Sequence, residues 1–541
     1  MIANPLRGVI LVGNRNEIRV GGAEPVSGLV VRNIPLLQGR DFAAVVNPYI
    51  GQPMRLKDLK QLQKDIVLYC RHKRRPVVDV ILPEQNLDNG VVQMIFLEGK
   101  VGKVTVDNPG TKWFSDRAIQ SQIHLKPGES VDSRQLMEDV NWLNRNPFRQ
   151  VDVHLKQGKS VGEADVGLRV EDRFPLRVYA GYENSGTKLT GEDRLLGGFN
   201  WGNVFGAGRQ LNYQYTTDTS LELLRAHAVS YQIPLPWRHT ISMYGSYVQG
   251  KADFPESMSD FKQEITSWQA SFRYEIPLIP MGQFRHQLSW GFDYKRSNNG
   301  LEFGSEAVSE SATEIDQFMG GYNCALTDPI GHTRFGLEVY YSPGNLTAGN
   351  NDEIFELLRF GAPDVYGFGR ATLERITKLP WGFSWVLNGS VQYADERLLP
   401  SEELGLGGWQ TVRGYDERVI NGDKGWFAST ELRTPPISLV SPLVRWVSGA
   451  NKKNGFRMND QFQALVFFDV GYTRLNNVQE GELESQRLAS WGVGCRYTIN
   501  PYLAFRFDYG FQMHDSGASK VTPDLEFTEG SMGHIGVIAS F

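Results

Sequence analysis

The chain has 541 residues, more than one ordinary domain uses, so at least two domains, or one small part and one very large one, are expected. It carries 57 Gly, 12 Trp, 21 Tyr and 29 Phe, yet 22% of its residues are charged and its mean hydropathy is -0.34. Disorder is excluded because it needs few aromatics, a helical membrane protein because the apolar runs fall far short of about 20 residues. A large all-β protein that alternates aromatic and polar positions gives these totals, and a membrane barrel is the extreme case. The balance of 56 basic against 61 acidic residues, net -5, offers no basic surface for nucleic acid. Cys70, Cys324 and Cys495 are far apart and form no C-x-x-C pair, so neither a disulfide framework nor a zinc site is readable. The start, Met1-Ile2-Ala3-Asn4-Pro5, lacks the charged and apolar regions of a signal peptide. Either the protein stays inside the cell, or the numbering begins after or within a processed N-terminus.

From Gly8 to Asp172 the pattern is mixed helix and strand, in two similar cycles. In the first, Leu56, Leu59, Leu62, Ile66 and Tyr69 recur at helical spacing; strand-like Val77 to Leu82 follows and, after the turn Asn89-Gly90, Val91 to Leu97. A Gly- and Val-rich stretch, Asn14 to Asn33, lies between the first candidate strand and the first helix. In the second cycle Lys103 to Val106 reads as a strand, and Asp132 with Gln135 as a capping box before a helix bearing Leu136, Val140 and Leu143. Alternating Val151, Val153, Leu155 and Val166, Leu168, Val170 complete it. The repeat suggests a duplicated α/β module with its seam at Glu98-Gly99, so residues 1–99 and 100–172; the competing reading is one irregular α/β domain.

After Arg173 strand alternation takes over. Leu503, Phe505, Phe507, Tyr509, Phe511 and Met513 share one face, and Ala504, Arg506, Asp508, Gly510 and Gln512 the other. Phe462, Ala464, Val466, Phe468, Val470 and Tyr472 likewise oppose Gln463, Leu465, Phe467, Asp469 and Gly471. Alternation alone does not say whether the apolar face looks inward, as in a soluble barrel, or toward lipid. Number and spacing do. Candidate strands centre near Tyr179, Gly198, Tyr213, Val229, Met243, Phe272, Trp290, Met319, Leu337, Ala371, Asn388, Ser429, Val466, Gly492, Phe507 and Val537, about 23 residues apart with their connections, room for a tilted spanning strand of about ten. Connections expected on one side are long and polar, as at Lys251 to Glu264, Ser297 to Glu314 and His514 to Gly530; those on the other are short, as at Pro234-Leu235-Pro236 and Asp328-Pro329-Ile330. That asymmetry is a membrane-barrel habit. The expected fold is therefore mainly β, an antiparallel transmembrane barrel of about sixteen strands over residues 173–541, preceded by two small α/β domains.

The C-terminal run His534-Ile535-Gly536-Val537-Ile538-Ala539-Ser540-Phe541 alternates and stops on an aromatic. It looks like the terminal-strand signal by which outer-membrane barrels are recognised for insertion, with Gly536 and Phe541 as its marks. The stretch Leu404 to Tyr415 is glycine-rich, but Gln410 stands where a third glycine of G-x-G-x-x-G belongs, and no βα unit surrounds it, so it cradles no phosphate. Val412-Arg413-Gly414-Tyr415, with Phe467-Phe468-Asp469-Val470-Gly471, resembles the V-R-G-Y and F-x-D-x-G motifs of two-partner secretion transporters, the haemolysin/haemagglutinin secretion-activation type among barrels that carry polypeptide-transport-associated (POTRA) domains.

The resemblance implies that the loop folds back into the lumen and that Arg413 pairs with Asp469, which the alternation already places inward with Phe467 and Gly471. It implies POTRA modules in the periplasm of a bacterium that take hold of an unfolded partner exoprotein, and a barrel in the outer membrane, surrounded by its lipid and inserted by the barrel-assembly machinery, that passes the partner to the surface. No cofactor is implied, and no room is seen before Gly8 for the pore-plugging helix of many members. A barrel-assembly insertase of the same superfamily is the first alternative, a passive porin-like channel the second, a soluble β-rich enzyme the last. Catalytic motifs are lacking: the nine His, His227 and His239 among them, form no H-E-x-x-H, and no G-x-S-x-G occurs. The acid pairs Glu402-Glu403 and Asp416-Glu417 are expected on a solvated surface. The connection Pro435 to Asp460, expected to face the periplasm, is long, carries Arg445, Lys452, Lys453 and Arg457, and reads as an inserted turn.

Overall fold

A computed structural model describes residues 5–53, 55–110, 112–160, 162–253, 261–303, 306–440, 459–518 and 527–541. They form two compact units, Met1–Phe174 and Pro175–Phe541.

The first unit holds two sheets. Strands β1 (Gly8–Val12) and β2 (Gly28–Arg32), helices α1 (Arg40–Val46) and α2 (Leu56–His72), and strands β3 (Val78–Ile81) and β4 (Val91–Glu98) build a sheet of order β2-β1-β4-β3. Leu59, Leu62, Ile66 and Cys70 recur every three or four residues along α2, so one stripe is buried, against Val9, Leu11, Val92 and Met94. The Asn14 to Asn33 stretch is more than a loop. It supplies β2, parallel to β1, and lays Ile18, Ala23 and Val26 over the opposite sheet face, against Ile10, Val12, Val91 and Ile95. That second cover explains the unbroken apolar sequence of β1, buried on both faces between two parallel neighbours. Gln93, buried there, bonds the backbone of Arg19 in both directions, accepting at 3.0 Å and donating at 2.9 Å.

The second sheet, β5 (Lys100–Asp107), β6 (Arg149–Gln157) and β7 (Glu163–Asp172) in the order β5-β7-β6, packs on α3 (Asp116–Gln120) and α4 (Ser133–Leu143). Asp132 caps α4 by accepting from Arg134 N at 2.8 Å and Gln135 N at 3.2 Å. Between the sheets Arg75 pairs with Glu98 at 2.9 Å and Asp132 at 3.3 Å.

In the second unit sixteen antiparallel strands, counted among the described residues, close into a barrel running from Leu176–Glu183 to Ser531–Ser540. Each of the sixteen centres read from alternation falls in one of them. The barrel closes where Gly536 pairs with Glu183 and Ser540 with Tyr179. Val466, Phe468, Trp491, Val493 and Phe511 stand exposed on its outer face, whereas Phe467, Asp469, Ser490 and Asp508 on the intervening positions are buried, the apolar-out order of a barrel solvated by lipid. No helix among the described residues is long and apolar enough to cross a membrane.

Two connections differ from expectation. Ser297 to Glu314 is not a loop: the strands Phe284–Phe303 and Glu306–Asp328 pair from Phe284 with Leu326 up to Phe303 with Glu306. Ser297 to Gly300 and Ser309 to Glu314 hold no large apolar residue, so the hydrophobic alternation lapses there while backbone pairing continues. Parts of the connections Lys251 to Glu264 and His514 to Gly530 lie outside the described residues, as does the 441–458 portion of the connection at Pro435 to Asp460.

Candidate functional site: a loop latched inside the barrel

The connection between the strands Ser384–Ala394 and Lys424–Arg433 turns inward. Leu404–Leu406 and Ile420–Gly422 pair as a two-stranded ribbon, and Leu404, Leu406, Val412, Tyr415 and Ile420 pack together with Leu488 of the wall. Gly407, Gly408 and Gly414 have φ of 110°, 88° and 90°, which favours glycine at the bends. Thr411 Oγ1 accepts from Gly407 N at 2.9 Å and donates to its carbonyl at 3.0 Å, closing the tip on itself.

Arg413 is at the centre. Its Nε and Nη2 donate to the two carboxylate oxygens of Asp469 at 2.7 and 2.8 Å, and its backbone N–H to the same group at 3.1 Å. Nη1 reaches Glu431 at 2.6 Å and Asp508 at 3.4 Å, Nη2 reaches Ser429 at 3.2 Å, and the guanidinium lies 3.6 Å from the centre of the Phe467 ring. The Arg413 side chain is 3% exposed and that of Asp469 0%, so a bidentate fork, the strongest geometry a guanidinium makes, operates away from bulk water. An outer ring balances the charge: Asp508 accepts from Arg496 at 2.8 and 3.0 Å and from Arg506 at 2.7 Å, and Glu431 from Arg433 at 2.8 Å.

The other motif residues meet there. Gly471 leaves the space used by Leu406 and Val412, since a Cβ on it would stand 2.7 Å from Leu406 Cδ1 and 3.1 Å from Val412 Cγ2. The Tyr415 hydroxyl lies between the carbonyls of Ala489, at 2.8 Å, and His514, at 2.7 Å. Gly536 faces Trp409 so closely that a Cβ would lie 2.3 Å from the indole. Phe541 is exposed at the closing seam, where its N–H donates to Val178 O at 2.9 Å and its carbonyl accepts from Val178 N at 3.0 Å. Among the described residues no group of His, Cys, Asp and Glu is placed to hold a metal ion.

The feet of the loop are tied as firmly as its tip. Asp423, with no exposed surface, accepts from Arg359 Nη1 at 2.6 Å, Leu398 N at 2.8 Å and Asn476 N at 2.7 Å. Arg397 pairs bidentately with Glu482 at 2.8 and 2.7 Å. The acid pairs expected on a solvated surface are enclosed instead, Glu402 and Asp416 buried and Glu403 and Glu417 half-buried: Glu402 accepts from Lys295 at 2.8 and 2.9 Å, Glu403 pairs with Arg359 at 2.8 Å, and Asp416 accepts from Thr528 N at 2.7 Å. A connection folded into a lumen is enclosed on all sides, which hydrophilicity in the sequence does not register. Sequence reasoning also missed Glu431, Gln512 and His534 as loop partners. Their inward parity was legible, but the register that aligns them with Arg413 and Gly414 was not.

Known proteins resemble this chain in sequence and in fold. Residues 162–497 match the pattern of the haemolysin secretion/activation protein ShlB/FhaC/HecB, and residues 25–99 that of the ShlB-type POTRA domain. The chain is 23% identical over 485 residues to the heme/hemopexin transporter protein HuxB of Haemophilus influenzae, covering 86% of this chain and 80% of HuxB. It is 24% identical over 407 residues to the outer membrane transporter CdiB of Dickeya dadantii, covering 73% and 70%. The solved structure of CdiB from Escherichia coli superposes with a TM-score of 0.74 at 15% identity, covering 99% of this chain and 90% of that one.

Proposed function

Since this chain belongs to the haemolysin secretion/activation family of ShlB, FhaC and HecB, we propose that its first unit holds a large unfolded exoprotein in the periplasm while the second passes it outward. The protein is an outer-membrane transporter of two-partner secretion. Residues 1–99 and 100–172 act as successive POTRA modules and residues 173–541 as the pore. Supporting this division, each of the two sheets in the first unit ends in edge strands, and an edge accepts an extended peptide through main-chain hydrogen bonds that tolerate varied sequence. Outer-membrane lipid solvates the apolar outer face, and the barrel-assembly machinery reads the terminal strand ending at Phe541.

The observation that carries the mechanism is the latched loop. A chain crossing in extended form needs the lumen that Val412 to Tyr415 occupy, so the Arg413–Asp469 pair is the catch that keeps the pore shut at rest and yields during transport. No bond of the client is made or broken, and the step is one of binding and release. A passive porin has no use for the first unit or for a loop held by buried charges, and an insertase would act at the barrel seam. The test is secretion of the co-encoded exoprotein by a barrel lacking residues 1–172, inserted and heat-modifiable on gels. Loss of secretion is expected; secretion at the full-length level refutes the capture role.

A further inference from the structure

Beyond Arg413, the main chain of Gly414 is gripped at both its N–H and its carbonyl. Its N–H donates to His534 Nε2 at 2.9 Å, and its carbonyl accepts from Gln512 Nε2 at 2.7 Å. His534 has no exposed surface and sits on the last strand, paired in register with Asp508. Gln512 ends the preceding strand and is itself held, since its amide donates to Thr528 O at 2.8 Å and accepts from Gly530 N at 3.2 Å. Gly414 Cα lies against the Gly510 backbone, where a Cβ on either glycine would come within 2.8 Å of the other residue. The neighbouring Trp409 is clamped to the same strands: Arg506 lies 4.4 Å from the centre of its ring and donates to its carbonyl at 2.9 Å.

From this geometry we propose that His534 and Gln512 form a second catch, positioning residues that hold the loop tip by its main chain independently of the Arg413 side chain. The chemistry is directional. Nε2 accepts a hydrogen bond only when it carries no proton, so the neutral imidazole with its proton on Nδ1 is the holding form. A carboxamide of similar reach, with an acceptor oxygen, replaces it; an apolar ring of the same size does not, and leaves the buried Gly414 N–H unpaired. The grip is also placed on the strand that closes the barrel against Leu176–Glu183, so release of the tip frees the lumen face of the last strand. The inference rests on the reading of the loop as the resting closure of the pore.

The test is single-channel conductance of the full chain in planar bilayers, with heat-modifiable migration as the folding control. His534→Phe is expected to raise the fraction of time spent open about tenfold, and His534→Gln to restore the wild-type value. Gln512→Ala, which removes the other half of the grip without touching the histidine, is expected to raise it as well. Arg413→Ala separates the two ideas. If it opens the channel while folded His534→Phe and Gln512→Ala leave it closed, the second catch is refuted and the closure stands. If none of the three opens it, the closure reading itself falls. Should His534→Phe fail to fold, Gln512→Ala decides alone.

Discussion

Replacing Arg413 by Ala tests how much of the closure one side chain carries. Asp469 is fully buried, and its described donors are the backbone N–H, Nε and Nη2 of Arg413. Glu431 and Asp508 lose one partner each but keep Arg433, Arg496 and Arg506. The change therefore strands one carboxylate in a desolvated site rather than three. Breaking a buried pair by removing one member costs about 3–5 kcal/mol, a shift of roughly 10²- to 4 × 10³-fold between docked and released loop at 1.4 kcal/mol per decade. Arg413→Lys keeps the charge but loses the fork and should fall between wild type and Ala. The assay is a double-mutant cycle with Asp469→Ala, read by single-channel conductance and by urea unfolding in detergent. Removing both partners should cost clearly less than the sum of the single changes, because neither is then left charged and alone. Additivity within about 0.5 kcal/mol would refute the coupling and reduce the pair to two independent lumen residues.

Other outcomes follow from the same structure. Gly414→Ala places a Cβ 2.8 Å from the Gly510 backbone at a φ of 90°, so it should release the tip as Arg413→Ala does, seen as increased conductance of a normally inserted barrel. Asp423→Asn removes the charge that three donors share at the loop's feet, and should loosen the loop by about 1–3 kcal/mol, read as faster proteolysis near Leu398 in whole cells. In the first unit Leu62 is fully buried, and Leu62→Ala should lower that unit's stability by about 2–5 kcal/mol, measured by its unfolding transition. Burial, and then the nearby Glu98 carboxylate, push the Cys70 thiol up to about 12 from 9.0. The folded unit holds that proton more tightly than the unfolded chain, so the associated stability is complete below pH 9 and is lost as pH rises toward 12. Maleimide at pH 8 should accordingly leave Cys70 unlabelled until the unit is unfolded.

Periodicity in the sequence located every barrel strand because a membrane wall imposes one rule, apolar toward lipid and polar or small toward the lumen, on each of them. It placed Asp469 on the lumen face, but only the family motifs joined Arg413 to it. Without those motifs nothing separates Arg413 from any loop arginine, since the separation of 56 positions between it and Asp469 is bridged by tertiary folding that local pattern does not encode. The same limit hid His534 and Gln512, whose roles depend on strand register, and made Glu402, Glu403 and Asp416 read as surface acids. In the first unit α2 and α4 were legible from their apolar stripes, but β2 was not. Its residues are only half-buried at a sheet edge, and its glycines and polar neighbours look like a loop.

The most direct test of the account is reconstitution in a heterologous host that makes the co-encoded exoprotein with its own signal peptide, with or without this chain. The amount of exoprotein on intact cells is measured by surface protease shaving. Surface exoprotein that depends on this chain and is lost without residues 1–172 is the predicted result. Equal surface exoprotein with and without the transporter would contradict it.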